Sequence, residues 1–177
     1  MLQELLEKER TTIVKRWFNL ILDTYQEDTS RFLKKEKDPF ANPVGFTMRE
    51  GIESLYRGLL VDLPSENMSV SLDKMIRIRS VQDFSPNTAV SFVFLLKKVV
   101  REVLKREIRN QNIYEELAAF ESRVDHLALL AFETYVKCRE ELFELRAKEL
   151  KGHRDAAVRM LARTNLSLDK IQQGEKP

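Results

Sequence analysis

A long stretch without proline is the feature that most constrains this chain. From Tyr114 to about Leu166, Gly152 is the only glycine and no other helix breaker interrupts the sequence. The stretch predicts a single helix of roughly 75 Å at about 1.5 Å per residue, whereas a small domain spans about 30 Å. A long C-terminal helix that protrudes from its domain is therefore expected. A break at Gly152 and His153, which would give a separate last helix, is the alternative prediction.

The apolar residues of this stretch become sparse near residue 140. Up to Tyr135 they are closely spaced, as in a buried helix, and beyond Cys138 they are set among charges. We expect a helical domain over residues 1–140 and a helical extension over 141–177, with a frayed tail from Leu168. An isolated apolar stripe needs cover, so the extension is predicted to bind another protein, including a second copy in a homodimer. The residues of this candidate interaction helix are Leu142, Leu145, Leu150, Val158 and Leu161.

Helical spacing also organises the first quarter of the chain. Apolar residues at three- and four-residue steps predict a first helix over Leu2–Tyr25, with fraying or protrusion near Glu7–Thr12. Two prolines and a glycine then predict an irregular loop over Gln26–Phe46, with room for a single helical turn.

Helix-capping residues predict where the next helices begin. A capping box at Thr47–Glu50 predicts a helix that stops before Pro64, and a short helix is expected within Ser71–Ser80. A serine followed by proline predicts the start of a central, most buried helix over Ser85–Ile108. No segment has the alternation of a strand, so the fold class is all-α, a bundle of about five helices.

Charge and composition exclude several classes of protein. The 30 Lys and Arg residues nearly balance the 28 Asp and Glu residues, which argues against a nucleic-acid binder. The first residues lack the basic and small residues of a signal peptide. The most apolar stretch, Ala89–Val100, contains Lys97 and Lys98 and is too short to span a membrane. The single cysteine, Cys138, fits a reducing compartment, so we predict a cytoplasmic protein without membrane contact.

The sequence contains no recognisable catalytic set. It has no glycine-rich phosphate loop and no Glu-x-x-His pair for a di-iron site. The sequence also indicates no general base that would activate Cys138 as a nucleophile. We therefore predict no enzyme, no metal and no cofactor. A ligand-binding sensor with a small molecule or haem in the helical core stays open, because His126 lies on an apolar helix and is a candidate haem ligand. The candidate ligand pocket, or simply core, consists of Trp17, Phe46, Phe92, Phe94, Phe120 and His126.

Two motifs give the chain a family resemblance. The run Asp38–Gly45 contains Asn-Pro-Val-Gly, and the run Phe84–Lys97 begins with Phe-Ser-Pro. Together with Trp17 and Tyr25 on the aromatic first helix, they resemble the N-terminal domain of RsbR/RsbRD-type proteins over roughly residues 5–140. Members of that family regulate the bacterial general stress response as co-antagonists acting on a switch kinase within stressosomes.

This resemblance implies both a fold and a role. It implies a sensor-like helical domain over residues 1–140, related to a globin fold without haem, and a dimer whose long last helix passes a signal onward. The residues after Glu140 are too few, and contain no strands, for the phosphorylatable α/β domain that usually follows in the family. A stand-alone sensory and regulatory domain is therefore expected, with its protein partner and its signal unspecified.

Overall fold

The computed structural model describes residues 1–61, 66–82, 84–111 and 113–172, and within them every regular element is an α-helix. The predicted all-α class is therefore confirmed. The chain forms two compact units, Met1–Cys138 and Arg139–Pro177. The helices of the described residues are α1 (Leu2–Lys8), α2 (Arg10–Leu22), α3 (Glu27–Lys35), α4 (Pro43–Leu60), α5 (Glu66–Val81), α6 (Pro86–Val103), α7 (Lys105–Gln111) and α8 (Tyr114–Gln172).

The first predicted helix is interrupted, and side-chain hydrogen bonds anchor its first residues. Glu9, at φ −92° and ψ 9°, separates α1 from α2, which ends at Leu22. The backbone N–H of Leu2 donates to a carboxylate oxygen of Glu116 at 2.7 Å, and the Tyr56 hydroxyl donates to the Leu6 carbonyl at 2.8 Å. These bonds hold α1 against α4 and α8, and the interruption at Glu9 falls within the stretch Glu7–Thr12 where the sequence pattern weakens.

The predicted irregular loop contains a helix, α3, and ends at a different helix start. Acidic residues in the first turn of α3 and lysines in its last turn complement the helix dipole. The capping-box prediction at Thr47–Glu50 was wrong, because α4 begins at Pro43. Asn42 is its N-cap, and the Asn42 Oδ1 accepts a hydrogen bond from the Gly45 backbone N–H at 2.8 Å.

The central helix begins where the sequence predicted and ends earlier. The Ser85 hydroxyl caps α6 by accepting from the Thr88 backbone N–H, and Pro86 is the first helical residue. A bend at Leu104, at φ −95° and ψ 20°, separates α6 from α7. The predicted number of about five helices was too low because of α3 and the bends at Glu9 and Leu104. The stop predicted before Pro64 agrees with the end of α4, although Pro64 itself lies outside the described residues.

The prediction of one long last helix is confirmed. Helix α8 runs from Tyr114 to Gln172 without a break at Gly152, so the alternative of a separate last helix was wrong. A Cβ atom added to Gly152 would meet nothing within 4 Å, so no close contact requires glycine there. The last residues of the predicted frayed tail, 173–177, lie outside the described residues.

The core of the first unit is built on close packing of helix pairs. Helices α4 and α5 approach each other at two glycines seven residues apart. A Cβ atom at Gly51 would lie 2.7 Å from the Met75 sulfur, and one at Gly58 would lie 2.6 Å from the Met68 sulfur. Helices α2 and α6 meet at Trp17, whose indole N–H donates to the Phe92 carbonyl at 2.7 Å.

We predict that Asn42→Ala lowers the free energy of unfolding by about 2 kcal/mol. The buried Asn42 side chain caps α4 and also donates to the carbonyls of Leu33, at 3.3 Å, and Glu36, at 3.0 Å. Asn42→Asp keeps the capping oxygen but turns a buried carboxylate oxygen toward two carbonyl oxygens, so it should also be less stable than the wild type. Urea denaturation measures the three values, and equal stability of the wild type and Asn42→Ala would contradict this role.

Candidate functional site

A buried arginine in the first unit is the most unusual group of the described residues. Arg79 lies near the end of α5 and has no solvent-exposed surface. It continues the apolar stripe of α5, in which Leu72, Met75 and Ile76 are buried at helical spacing. Ile78 is apolar but lies off this stripe and is only half-buried. The spacing of the stripe was the signal that would have identified Arg79.

The Arg79 guanidinium fastens α5 to the start of α6 and to the end of α2. Its Nε donates to the Ala89 carbonyl at 3.1 Å, and one Nη donates to the Thr88 carbonyl at 2.8 Å and the Thr24 hydroxyl at 3.2 Å. Its other Nη is buried without a hydrogen-bond partner among the described residues. Helix α2 and the consecutive helices α5 and α6 therefore converge on one side chain.

Aromatic rings surround this guanidinium where a carboxylate would be expected. Its central carbon lies 4.4 Å from the ring centre of Phe84 and 5.5 Å from those of Tyr25 and Phe92. Burial lowers the pKa of Arg79, and among the described residues no carboxylate opposes that shift. The ring faces and carbonyl oxygens replace water around the charge. We refer to Arg79, Tyr25, Phe84 and Phe92 as the arginine cage.

The arginine cage also contacts α8 within the first unit. The Tyr135 hydroxyl, on α8, donates to the Phe84 carbonyl at 2.9 Å. The rings of Tyr25 and Phe84 meet edge to face, with centroids 5.0 Å apart. A displacement of Phe84 would therefore disturb Arg79 on one side and Tyr135 on the other.

The predicted pocket residues differ widely in burial. Trp17, Phe92 and Phe120 are fully buried, and the first two stack with ring centroids 6.4 Å apart. Phe46 and Phe94 are 36% and 46% exposed.

The candidate haem ligand is an exposed residue at a surface cavity. His126, on α8, lines a cavity of about 320 Å³ together with residues of α4 and Met68 of α5. Aromatic residues of the core are not part of that lining. Within the described residues, no three His, Cys, Asp or Glu side chains are grouped closely enough to hold a metal ion.

The predicted interaction residues are mostly exposed but occupy different sides of their helix. Leu145, Leu150, Val158 and Leu161 are exposed, and Leu142 is half-buried. At about 100° per residue, Leu150 and Leu161 share one side with Phe143, whereas Leu145 lies about 150° away. Phe143 was absent from the predicted set, although the seven-residue step from Phe143 to Leu150 was visible in the sequence.

We predict that Arg79→Met keeps the free energy of unfolding within about 1 kcal/mol of the wild type, whereas Arg79→Ala lowers it by about 3 kcal/mol. Methionine fills the cage without a charge to desolvate. The Thr88 and Ala89 carbonyls lie in α6, where the helix supplies backbone donors. Urea denaturation provides the comparison, with exposed Arg77→Ala as the control. If Arg79→Met is as unstable as Arg79→Ala, the bonds of the guanidinium matter more than its packing.

The comparisons with known proteins agree with the family resemblance. Residues 11–150 match the family model described as RsbT co-antagonist protein rsbRD N-terminal domain. No curated protein and no solved structure matches the chain. No helix among the described residues is both long enough and apolar enough to cross a membrane. Because the match covers most of its length, the chain belongs to the RsbT co-antagonist protein rsbRD N-terminal domain family, a family of regulatory domains of the stress response.

Proposed function

We propose that this chain is a non-catalytic regulatory domain that acts through protein–protein contact, with α8 as the element that passes the signal. Membership in a co-antagonist domain family supports a regulatory role. The observation that carries the proposal is a set of large apolar side chains exposed in the second unit. Phe143, Leu150 and Leu161 are 74%, 70% and 65% exposed.

These three residues form a narrow stripe on the helix. They lie within about 20° of one another around its axis, and Ala157 continues the seven-residue step from Phe143 and Leu150. Covering each large side chain is worth roughly 1.5–3 kcal/mol, so a partner that covers the stripe gains appreciable binding energy. A seven-residue apolar repeat is the pattern by which helices pair side by side.

A second copy of the chain is the partner that we propose for this stripe. Arg154 lies within this stripe, about 20° from Phe143 around the helix axis, and its guanidinium pairs with Asp155 at 3.0 Å. The same stripe on two copies of the chain is complementary to itself about a two-fold axis. The homodimer would bring two stripes together and leave the first units available for a further protein partner.

The arginine cage is the proposed two-state element of the first unit. Among the described residues, rings, two carbonyls and the Thr24 hydroxyl balance this charge without a carboxylate, so a modest change in binding energy can shift its equilibrium. Through Phe84 and Tyr135, such a shift reaches α8. We propose a cytoplasmic bacterial setting in stress-response regulation, a globin-related fold without haem, and no nucleic-acid partner.

Sedimentation velocity over a range of concentrations tests the homodimer. We predict that the wild type is a dimer and that the double variant Phe143→Asp, Leu150→Asp is a monomer, because each charge would be buried against an apolar neighbour. The matched control is Leu145→Asp, Ala156→Asp, which adds the same two charges to exposed positions on the opposite side of the same helix. This control should remain a dimer.

Two outcomes would contradict the proposed interface. A wild type that sediments as a monomer at high micromolar concentration would exclude the homodimer. Equal loss of the dimer in both double variants would show that added charge, rather than the stripe, is responsible. Unchanged helical circular dichroism in each variant establishes that the helix itself is intact.

A further inference from the structure

A second feature of the first unit, apart from the arginine cage and α8, has the form of a ligand site. A groove of about 480 Å³ lies between α4 on one side and α1 and α2 on the other. This volume is within the usual range of small-molecule sites, about 300–1,000 Å³. We call it the α2–α4 groove. Half-buried Val14 and Phe18, which is 8% exposed, provide its apolar surface, and several charged side chains line the rest.

The two carboxylates that line the α2–α4 groove are already paired with arginines. The Arg10 guanidinium donates through Nε to Glu53 at 2.8 Å, through one Nη to the same carboxylate, and through the other Nη to Glu7 at 3.3 Å. Arg57 also pairs with Glu53, at 3.3 Å. These ion pairs offset the negative charges of Glu7 and Glu53, which would otherwise repel an anion.

Two other cations of the groove have no such partner. Within the described residues, neither Arg49 nor Lys15 forms a hydrogen bond or an ion pair with a carboxylate. The Arg49 guanidinium instead lies over the Phe18 ring, with its central carbon 5.1 Å from the ring centre. A guanidinium without a carboxylate partner has N–H donors available, and they match the two oxygens of a carboxylate.

We propose that the α2–α4 groove binds a small carboxylate with a flat apolar body. The carboxylate would accept hydrogen bonds from Arg49, with Lys15 adding a second positive charge. The apolar body would lie against Phe18 and Val14. Half-buried Arg49 is held by the ring beneath it, so less conformational freedom is lost on binding than for a free arginine.

This site does not depend on the proposed homodimer, since every residue of it lies in the first unit. It would give the domain an input distinct from its partner surface. Helix α2 carries Lys15 and Phe18 of the groove and Trp17 of the core, and Thr24 and Tyr25 of the arginine cage follow its end. A ligand that ties α2 to α4 would therefore act on the helix that leads to the arginine cage.

Titration of the full chain with benzoate, followed by backbone amide chemical shifts, tests the site. We expect saturable shifts concentrated in residues 11–18 and 46–53. Benzamide, the neutral analogue, should give no saturable shift there, and acetate should bind more weakly than benzoate because it lacks the apolar body. Arg49→Met keeps a stem over Phe18 but loses the charge, so it should weaken benzoate binding by about tenfold or more.

The matched control is Arg31→Met, which removes one charge from an exposed arginine on α3 and should leave benzoate binding unchanged. If Arg49→Met fails to fold, Lys15→Met takes its place, with a smaller expected loss. The proposal is overturned if benzoate gives no saturable shift or if benzamide binds equally well. It is also overturned if acetate binds as tightly as benzoate, or if the control loses as much affinity as the groove variant.

Discussion

A positive charge that has to be accommodated away from water governs the packing of the first unit. Arg79 has no carboxylate partner in the described residues, so its solvation comes from carbonyls at the start of α6, a hydroxyl beyond the end of α2 and three aromatic rings. These groups satisfy the charge only when α2, α5 and α6 are correctly placed. Loss of any one of the contacts leaves a buried donor or a desolvated charge, which is unfavourable.

The two candidate sites and the core share helix α2. Its Lys15 and Phe18 belong to the α2–α4 groove, Trp17 packs on Phe92 of α6, and Tyr25 follows it in the arginine cage. Packed helices transmit displacement because their interiors are dense and resist compression. This chain thus contains, along one helix, an accessible polar groove and a buried charged centre.

Two helix starts with the same chemistry show what sequence reasoning found and missed. Ser85 and Asn42 both cap a helix whose first residue is proline. Ser85-Pro86 was recognised because a long apolar helix follows it directly. Asn42-Pro43 was interpreted as loop because Pro39 and Gly45 lie nearby, although Gly45 supplies the N–H that Asn42 caps. Gly45 therefore indicates a helix start rather than a loop: its backbone N–H is the donor to the cap, and it leaves space for the Asn42 side chain, which lies where a Cβ atom would be.

The sequence by itself determined the all-α class, the start of α6, a long last helix and the family, because these depend on local spacing, capping and motifs. It left open whether that helix continues through Gly152, which the structure decided. Only the tertiary structure decided that Arg79 is buried, that Phe46 and Phe94 are exposed and that Arg49 lies over Phe18. The physical reason is that burial and pairing depend on residues far apart in the chain. A side chain's type gives its preference, whereas its neighbours across the fold decide whether that preference is met.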